Sequence, residues 1–452
     1  MFRLPARLPH STRTFATAAA AKRTGGSGGD GIAVIDAVRT PFLQSGTDFK
    51  SLMPHDLQRA AFQALLHRNK GVQATDIGQI SVGTVIMEVK TSNIAREAAL
   101  GAGFPQSVPC HTVTMACISS NLSIADCASM IRSGQCEVAV AGGVESMSDV
   151  PIRYTRPARQ AMLEFPRAKS IPAKLGVLAK VIGNFGAELP AVAEFSTNEV
   201  MGHSADRLCA AFGVSRREQD EYALRSHTKA AEAQAAGNLS DVIDVFVPGK
   251  ADVVNKDNGI RPTPLEKLTK LNAAFIKPHG TITAGNASFL TDGASACLLM
   301  SEKKAKAMGL KPMAIIRDFL FVAQDPKDQL LLGPAYATPK LLERNGLKVQ
   351  DVDVWEIHEA FAGQILANLK AMDSDYFAKT YQNRSGKLGQ IPMEKLNLWG
   401  GSVSLGHPFG ATGIRLVAHA ANRLRKEGGK LGVVTACAAG GHGHGCLIEA
   451  VP

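Results

Sequence analysis

The sequence predicts an α/β fold made of two similar halves, with a less regular segment inserted between them. Three observations carry this expectation. Residues 64–80 (ALLHRNKGVQATDIGQI) and 340–355 (KLLERNGLKVQDVDVW) share a pattern of amphipathic helix, turn and strand, as an internal duplication would. Downstream, each half repeats a loop, a helical stretch, a turn, an apolar strand and a glycine pair. Finally, a chain of 452 residues that is 45% hydrophobic exceeds one compact core, and its 43 glycines against 6% aromatics suit strands and helices joined by tight turns.

The first 29 residues carry Arg3, Arg7, Arg13, Lys22 and Arg23, are rich in Ser, Thr and Ala, and contain no acid before Asp30. That composition is expected of a mitochondrial transit peptide, and the Gly-rich run from Thr24 to Gly29 of a linker behind it. Without those five charges the formal net charge of +10 is halved, so the body is only mildly basic.

The first half is expected over residues 30–149 and 276–300. In it a loop holding Cys117 leads into a helical pattern from Leu122 to Arg132, a turn at Ser133-Gly134, and the strand Val138–Ala141 ending in Gly142-Gly143. The insert is expected over residues 150–275, including a helical stretch from Val214 to Gln234. Between Arg153 and Lys180 it gathers Arg153, Arg156, Arg159, Arg167, Lys169, Lys174 and Lys180 against one acid, Glu164, interleaved with apolar residues. Such a segment is either a basic amphipathic surface for an anionic membrane or substrate, or a solvated helical hairpin lying over the core. No run of 18 apolar residues predicts a membrane span. The second half, expected over 301–452, repeats the pattern: a loop holding His407, a helical stretch from Gly413 to Lys426, a turn at Gly428-Gly429, and the strand Leu431–Ala436 before Gly440-Gly441.

Equivalent loops of duplicated halves meet near a shared interface, where sites commonly form. Cys117, in TMACISSN, stands just before a helix, where free N–H groups and the helix dipole favour thiolate. His407 lies among the glycines of NLWGGSVSLGHPFGATGIR, placed to accept a proton from a nearby thiol. Cys437, in VVTACAAGGHGHG, ends a strand and suits proton transfer beside the first cysteine; His442 and His444 read as turn residues, since their spacing is poor for a metal. His358, in VWEIHEAFAGQ, lies at a strand-to-helix junction and points to the crevice between the halves, without the second histidine of a zinc helix. The eight cysteines form no C-x-x-C pair, consistent with a reduced compartment, and Cys110 and Cys127 are read as structural.

Taken together, these segments resemble the thiolase family, in order, from about residue 32 to 450. TMACISSN resembles its nucleophile motif, GGVESMS (142–148) its first glycine turn, TAGNAS (283–288) a segment facing coenzyme A, GGSVSLGHPFGATG its histidine loop, CAAGG (437–441) its second cysteine motif and DAVRTPF (36–42) its first strand. The resemblance implies duplicated α/β halves with mixed sheets, layered helices and a loop domain. It implies a ping-pong acyl transfer on 3-ketoacyl-coenzyme A, in which His407 deprotonates Cys117, an acyl-cysteine forms, and Cys437 protonates the departing acetyl-CoA enolate. It further implies that His407 and a water on His358 hold the thioester oxygen, that the backbone N–H groups of Cys117 and Ala439 hold the tetrahedral oxyanion, and that Ser288 contacts coenzyme A. Coenzyme A is then a substrate, with no metal or other cofactor.

His358, the basic insert, and the stretches SDVPIRY and PKDQLLLGP are similar to the branch of the family that handles long-chain substrates. For that branch the resemblance implies a homodimeric core, a partner subunit bearing hydratase and dehydrogenase activities, and attachment to the matrix side of the inner mitochondrial membrane in fatty acid β-oxidation. His442 departs from the glutamine more usual in the family. The alternatives are a short-chain acetoacetyl-CoA thiolase and a catalytically silent acyl-CoA-binding scaffold. A ketosynthase would need a histidine where Cys437 stands.

Overall fold

The computed structural model describes residues 31–190 and 193–451; the leader expected over residues 1–29 lies outside them. The described residues form twelve strands: β1 (Ile32–Arg39), β2 (Leu43–Gln44), β3 (Gln79–Gly83), β4 (Cys110–Val113), β5 (Val138–Glu145), β6 (Arg153–Tyr154), β7 (Ala187–Glu188), β8 (Thr291–Ser301), β9 (Ala314–Ala323), β10 (Val354–Ile357), β11 (Leu431–Ala438) and β12 (His442–Ala450). The main sheet runs β10-β11-β12-β9-β1-β8-β5-β3-β4, with β2 beside β8. Within this sheet, β3 is parallel to β4 and β5, and β10 to β11; the other pairs are antiparallel.

This order displays the duplication. From the centre outward the first half reads β1, β8, β5, β3 and the second reads β9, β12, β11, β10. The two halves join where β1 and β9 pair antiparallel through Ile32↔Ile316, Ala33↔Ile315 and Val34↔Ala314. Among the described residues the edge strand β4 has no counterpart in the second half.

Helices lie on both faces of the sheet, which is why strands such as β1 and β5 are buried along their whole length. The helices Pro54–Arg68 and Ile94–Ala102 cover the outer face of the first half with Leu57, Phe62 and Ala98. The helices Gly333–Arg344 and Ala362–Met372 cover that of the second with Leu341, Ile365 and Ala371. Between them, Ser119–Arg132 and Thr412–Glu427 share a core with strand residues of both halves, including Val34, Leu299, Val434 and Ile448. The result is helix, sheet, helix, sheet, helix. Small residues on the central pair (Ala128, Ala418, Ala421) permit that close layering.

The insert does two separate things. Its helices Met201–Ala211 and Arg216–Ala235 join the outer layer of the second half through Leu208 and Tyr222. Farther on, Asp241 and Asp257 hold the buried guanidinium of Arg39 at 2.7 Å each, tying the insert to the end of β1. By contrast, the basic segment forms a hairpin of helices, Arg156–Glu164 and Ile171–Gly183, closed at its base by the β6–β7 ribbon. It does not lie over the core. Of its helical residues only Ala158 and Ala161 are buried, and none joins the hydrophobic clusters of the body. Among the described residues no helix is long and apolar enough to cross a membrane.

Candidate active site

Cys117 is delivered by the turn between β4 and the Ser119–Arg132 helix. That helix starts three residues earlier than its apolar pattern predicts, so Cys117 precedes the N-cap, Ile118. Ala116, directly before it, adopts a left-handed backbone (φ 45°), a conformation that costs a residue with a side chain about 1 kcal/mol or more. Ser119 Oγ pins the turn by accepting from Met115 N–H (2.9 Å) and donating to Ala116 O (2.7 Å).

Burial overturns the expectation that the helix terminus makes Cys117 a ready thiolate. Desolvation pushes its thiol up to about 12, with the Glu145 and Glu194 carboxylates adding to the rise. The backbone N–H groups of Ala439 and of Cys117 itself oppose that rise without reversing it. Cys437, on β11, is buried within electrostatic reach of Cys117, and its thiol is likewise raised by desolvation. All eight cysteines are free, with Cys127 buried inside its helix and Cys110 at the start of β4.

The two imidazoles arrive from the second half. His358 follows β10, where its N–H donates to Thr435 O at 2.9 Å and so ties it to the strand that carries Cys437. Asn397 braces the turn: its Oδ1 accepts from Ile357 N–H (2.9 Å), and its Nδ2 donates to Ile357 O and to Glu359 (2.8 Å each). Gly401 is required here, because a Cβ at that position would lie 2.1 Å from the Glu359 carboxyl carbon.

His407 follows Gly406, whose φ of 102° only glycine adopts comfortably. Its Nδ1 is 2.7 Å from Thr412 Oγ, and Thr412 Oγ–H donates to Pro408 O at 3.0 Å. A carbonyl only accepts, so the Thr412 hydrogen is committed to it and His407 Nδ1 is the donor to Thr412. The lone pair of His407 is therefore on Nε2. The rings of His358 and His407 lie 4.2 Å apart, both buried, and among the described residues the Nε2 atoms of both have no protein partner. Desolvation, with the nearby Arg415 cation, holds His407 at about 3 and His358 well below its ordinary value. Both are neutral bases at physiological pH.

Two contacts lock the cysteine loop to the histidine loop. Ile414 N–H donates to Ser120 Oγ at 3.3 Å, and Gly410 N–H donates to Glu145 at 3.0 Å. Glu145 also accepts from Val85 and Ile86 N–H (3.1 and 2.8 Å), and burial raises its carboxyl to about 7. Ser288 N–H donates to Ala360 O, two residues past His358, at 3.0 Å.

Sequence reasoning missed Glu145, Thr412, Ser402 and Arg415. Glu145 had one signal, a lone acid in a glycine-rich apolar run. The two histidines read as turn residues, His442 and His444, instead belong to β12; His444 is buried, packs on Phe321 at 4.9 Å between ring centres, and is held near 3 by desolvation.

Residues 32–303 match the model of the thiolase N-terminal domain and residues 310–450 that of the thiolase C-terminal domain. The chain is 64% identical to the mitochondrial trifunctional enzyme subunit beta of Bos taurus, over 93% of this chain and 88% of that one. It is 59% identical to a probable 3-ketoacyl-CoA thiolase of Caenorhabditis elegans, over 97% and 98%. Among solved structures, the Bacillus anthracis acetyl-CoA acetyltransferase superposes with a TM-score of 0.80 at 33% identity, covering 93% of this chain and 99% of that one. With both family domains matched end to end, the chain belongs to the thiolase family.

Proposed function

We propose that this protein is a 3-ketoacyl-CoA thiolase that cleaves long-chain 3-ketoacyl-CoA with coenzyme A to acetyl-CoA and a shortened acyl-CoA. The observation that carries the reading is the cysteine loop locked to the histidine loop, with the buried Cys437 thiol within electrostatic reach of Cys117 and the ring of His358 beside that of His407. His407 Nε2 takes the Cys117 proton, and the thiolate attacks the 3-keto carbon. The backbone N–H groups of Cys117 and Ala439 face the resulting oxyanion. Collapse breaks the C2–C3 bond and leaves an acyl-cysteine. The electron pair passes to the acetyl-CoA enolate, whose oxygen faces His358 and His407, while Cys437 gives its proton to the enolate carbon. The Cys437 thiolate then deprotonates coenzyme A, which attacks the acyl-cysteine and releases the shortened thioester, and the departing Cys117 thiolate takes its proton back from His407. Ser288 contacts bound coenzyme A. Side chains and coenzyme A handle every proton in this scheme, so it calls for no resident cofactor.

The long-chain assignment rests on 64% identity to a trifunctional enzyme subunit beta, against 33% to an acetyl-CoA acetyltransferase. Thiolysis of 3-ketoacyl-CoA substrates from short to long chain tests it. Turnover rises with chain length on this account; activity confined to the four-carbon substrate would assign a short-chain thiolase instead.

The name of the Bos taurus relative supports a mitochondrial location and a partner subunit; we propose that the partner carries hydratase and dehydrogenase activities and that the thiolase core is a dimer. The helical hairpin supports attachment to an anionic membrane surface such as the matrix face of the inner membrane. Ile171, Leu175, Leu178 and Ile182 recur at helical spacing and are exposed, with Arg167, Lys169 and Lys174 close by. Neutralising those three cations weakens partitioning onto vesicles containing anionic lipid by roughly a hundredfold, at about 1 kcal/mol per charge. Unchanged co-sedimentation would remove the hairpin from membrane binding.

A further inference from the structure

The helix Thr412–Glu427 carries Arg415 into a fully buried position. Buried guanidinium groups are ordinarily paired with a carboxylate at close range. This one is not. Its Nη1 stays 3.8 Å from Glu356 Oε2, and the other Glu356 oxygen is held by Arg423 at 2.8 Å. Among the described residues its one hydrogen bond runs from Nη2 to Ser402 Oγ at 2.8 Å. Ser402 Oγ in turn lies 3.2 Å from His358 Nδ1.

The directions of these bonds follow from what each group is able to do. Arginine only donates, so the Ser402 oxygen is an acceptor toward Arg415. Among the described residues the Ser402 hydrogen finds its acceptor in His358 Nδ1. Nδ1 is then bare and the ring proton of neutral His358 sits on Nε2, the atom left without a protein partner beside His407. In the opposite tautomer the buried Ser402 hydrogen would have no acceptor, and a lone pair on His358 Nε2 would face the lone pair of His407 and any developing oxyanion.

We propose that Ser402 and Arg415 are positioning residues that lock His358 in its Nε2–H tautomer, so that a one-way chain of donors runs from Arg415 through Ser402 and His358 to the thioester oxygen. As negative charge grows on that oxygen, each bond in the chain polarises toward the buried cation. The charge of Arg415 also lowers the basicity of His358 and His407, which keeps both rings neutral. The adjacent imidazoles thereby divide the work: His407 offers a lone pair and His358 offers a proton. This inference rests on the oxyanion role proposed above for His358.

The test combines kinetics with a readout that needs no variant of the pair. Ser402→Ala lowers kcat for thiolysis by ~10- to 100-fold while KM for the acyl-CoA stays within about threefold, because the lost contact serves only the developing charge. Ser402→Thr, which keeps the hydroxyl, recovers most of the rate. In a His358→Ala background, adding Ser402→Ala costs nothing further. Long-range proton–nitrogen correlation spectra of histidine-labelled wild-type enzyme show Nδ1 of His358 bare, the signal being assigned by its loss in His358→Ala. A protonated Nδ1, or a normal kcat for Ser402→Ala alongside a slow His358→Ala, would overturn the relay alone. A normal kcat for His358→Ala would remove the oxyanion role and the relay with it.

Discussion

Cys117→Ala abolishes thiolysis at every chain length, by at least ~10⁴-fold, and leaves the thermal unfolding transition in place. The size of the effect follows from the chemistry. Removing the nucleophile removes the acyl-enzyme, and the neighbouring Cys437 thiol, buried on β11 and raised by desolvation, does not replace it. Retained stability is expected because the turn is held by Ser119, through Met115 N–H and Ala116 O, and not by the thiol. Turnover measured beside a melting curve checks both parts.

His407→Ala has the second largest effect, and its pH dependence is the informative part. With the Cys117 thiol pushed up to about 12, very little of the enzyme carries a thiolate at pH 7 in the absence of a base. The variant should lose at least ~10⁴-fold in kcat/KM at neutral pH, and its rate should climb about tenfold per pH unit above that. The wild type behaves differently. His407, held near 3, stays a free base down to strongly acid pH, and Cys117 stays a thiol to about 12, so kcat/KM is level across the neutral range. A level profile in the variant would mean that another group takes the Cys117 proton.

Much of this architecture was legible in the chain. Repeated loops, helices and glycine turns place Cys117, Cys437, His358 and His407 on equivalent edges of duplicated halves, and the strand order bears the duplication out. Periodicity and turn residues are local, so they survive the folding of either half. What sequence leaves out is everything that depends on who faces whom. The helix-terminus argument for a thiolate at Cys117 considered its own turn alone; the burial that opposes it comes from the layers packed around it. The left-handed Ala116 has no compositional mark, since the residue type gives no warning of the conformation. Thr412, Ser402 and Arg415 act through hydrogen bonds whose direction only the assembled loop defines. The basic hairpin had the right charges for a surface element, but only the structure shows its apolar stripe standing clear of the core.

The central claim is that the acyl group passes through Cys117. Enzyme mixed with a 3-ketoacyl-CoA in the absence of free coenzyme A, then digested and analysed by mass spectrometry, tests it most directly. The account predicts an acyl adduct on the peptide carrying Cys117, lost when coenzyme A is added. An adduct on Cys437 instead, or full turnover with no adduct on either cysteine, would contradict it.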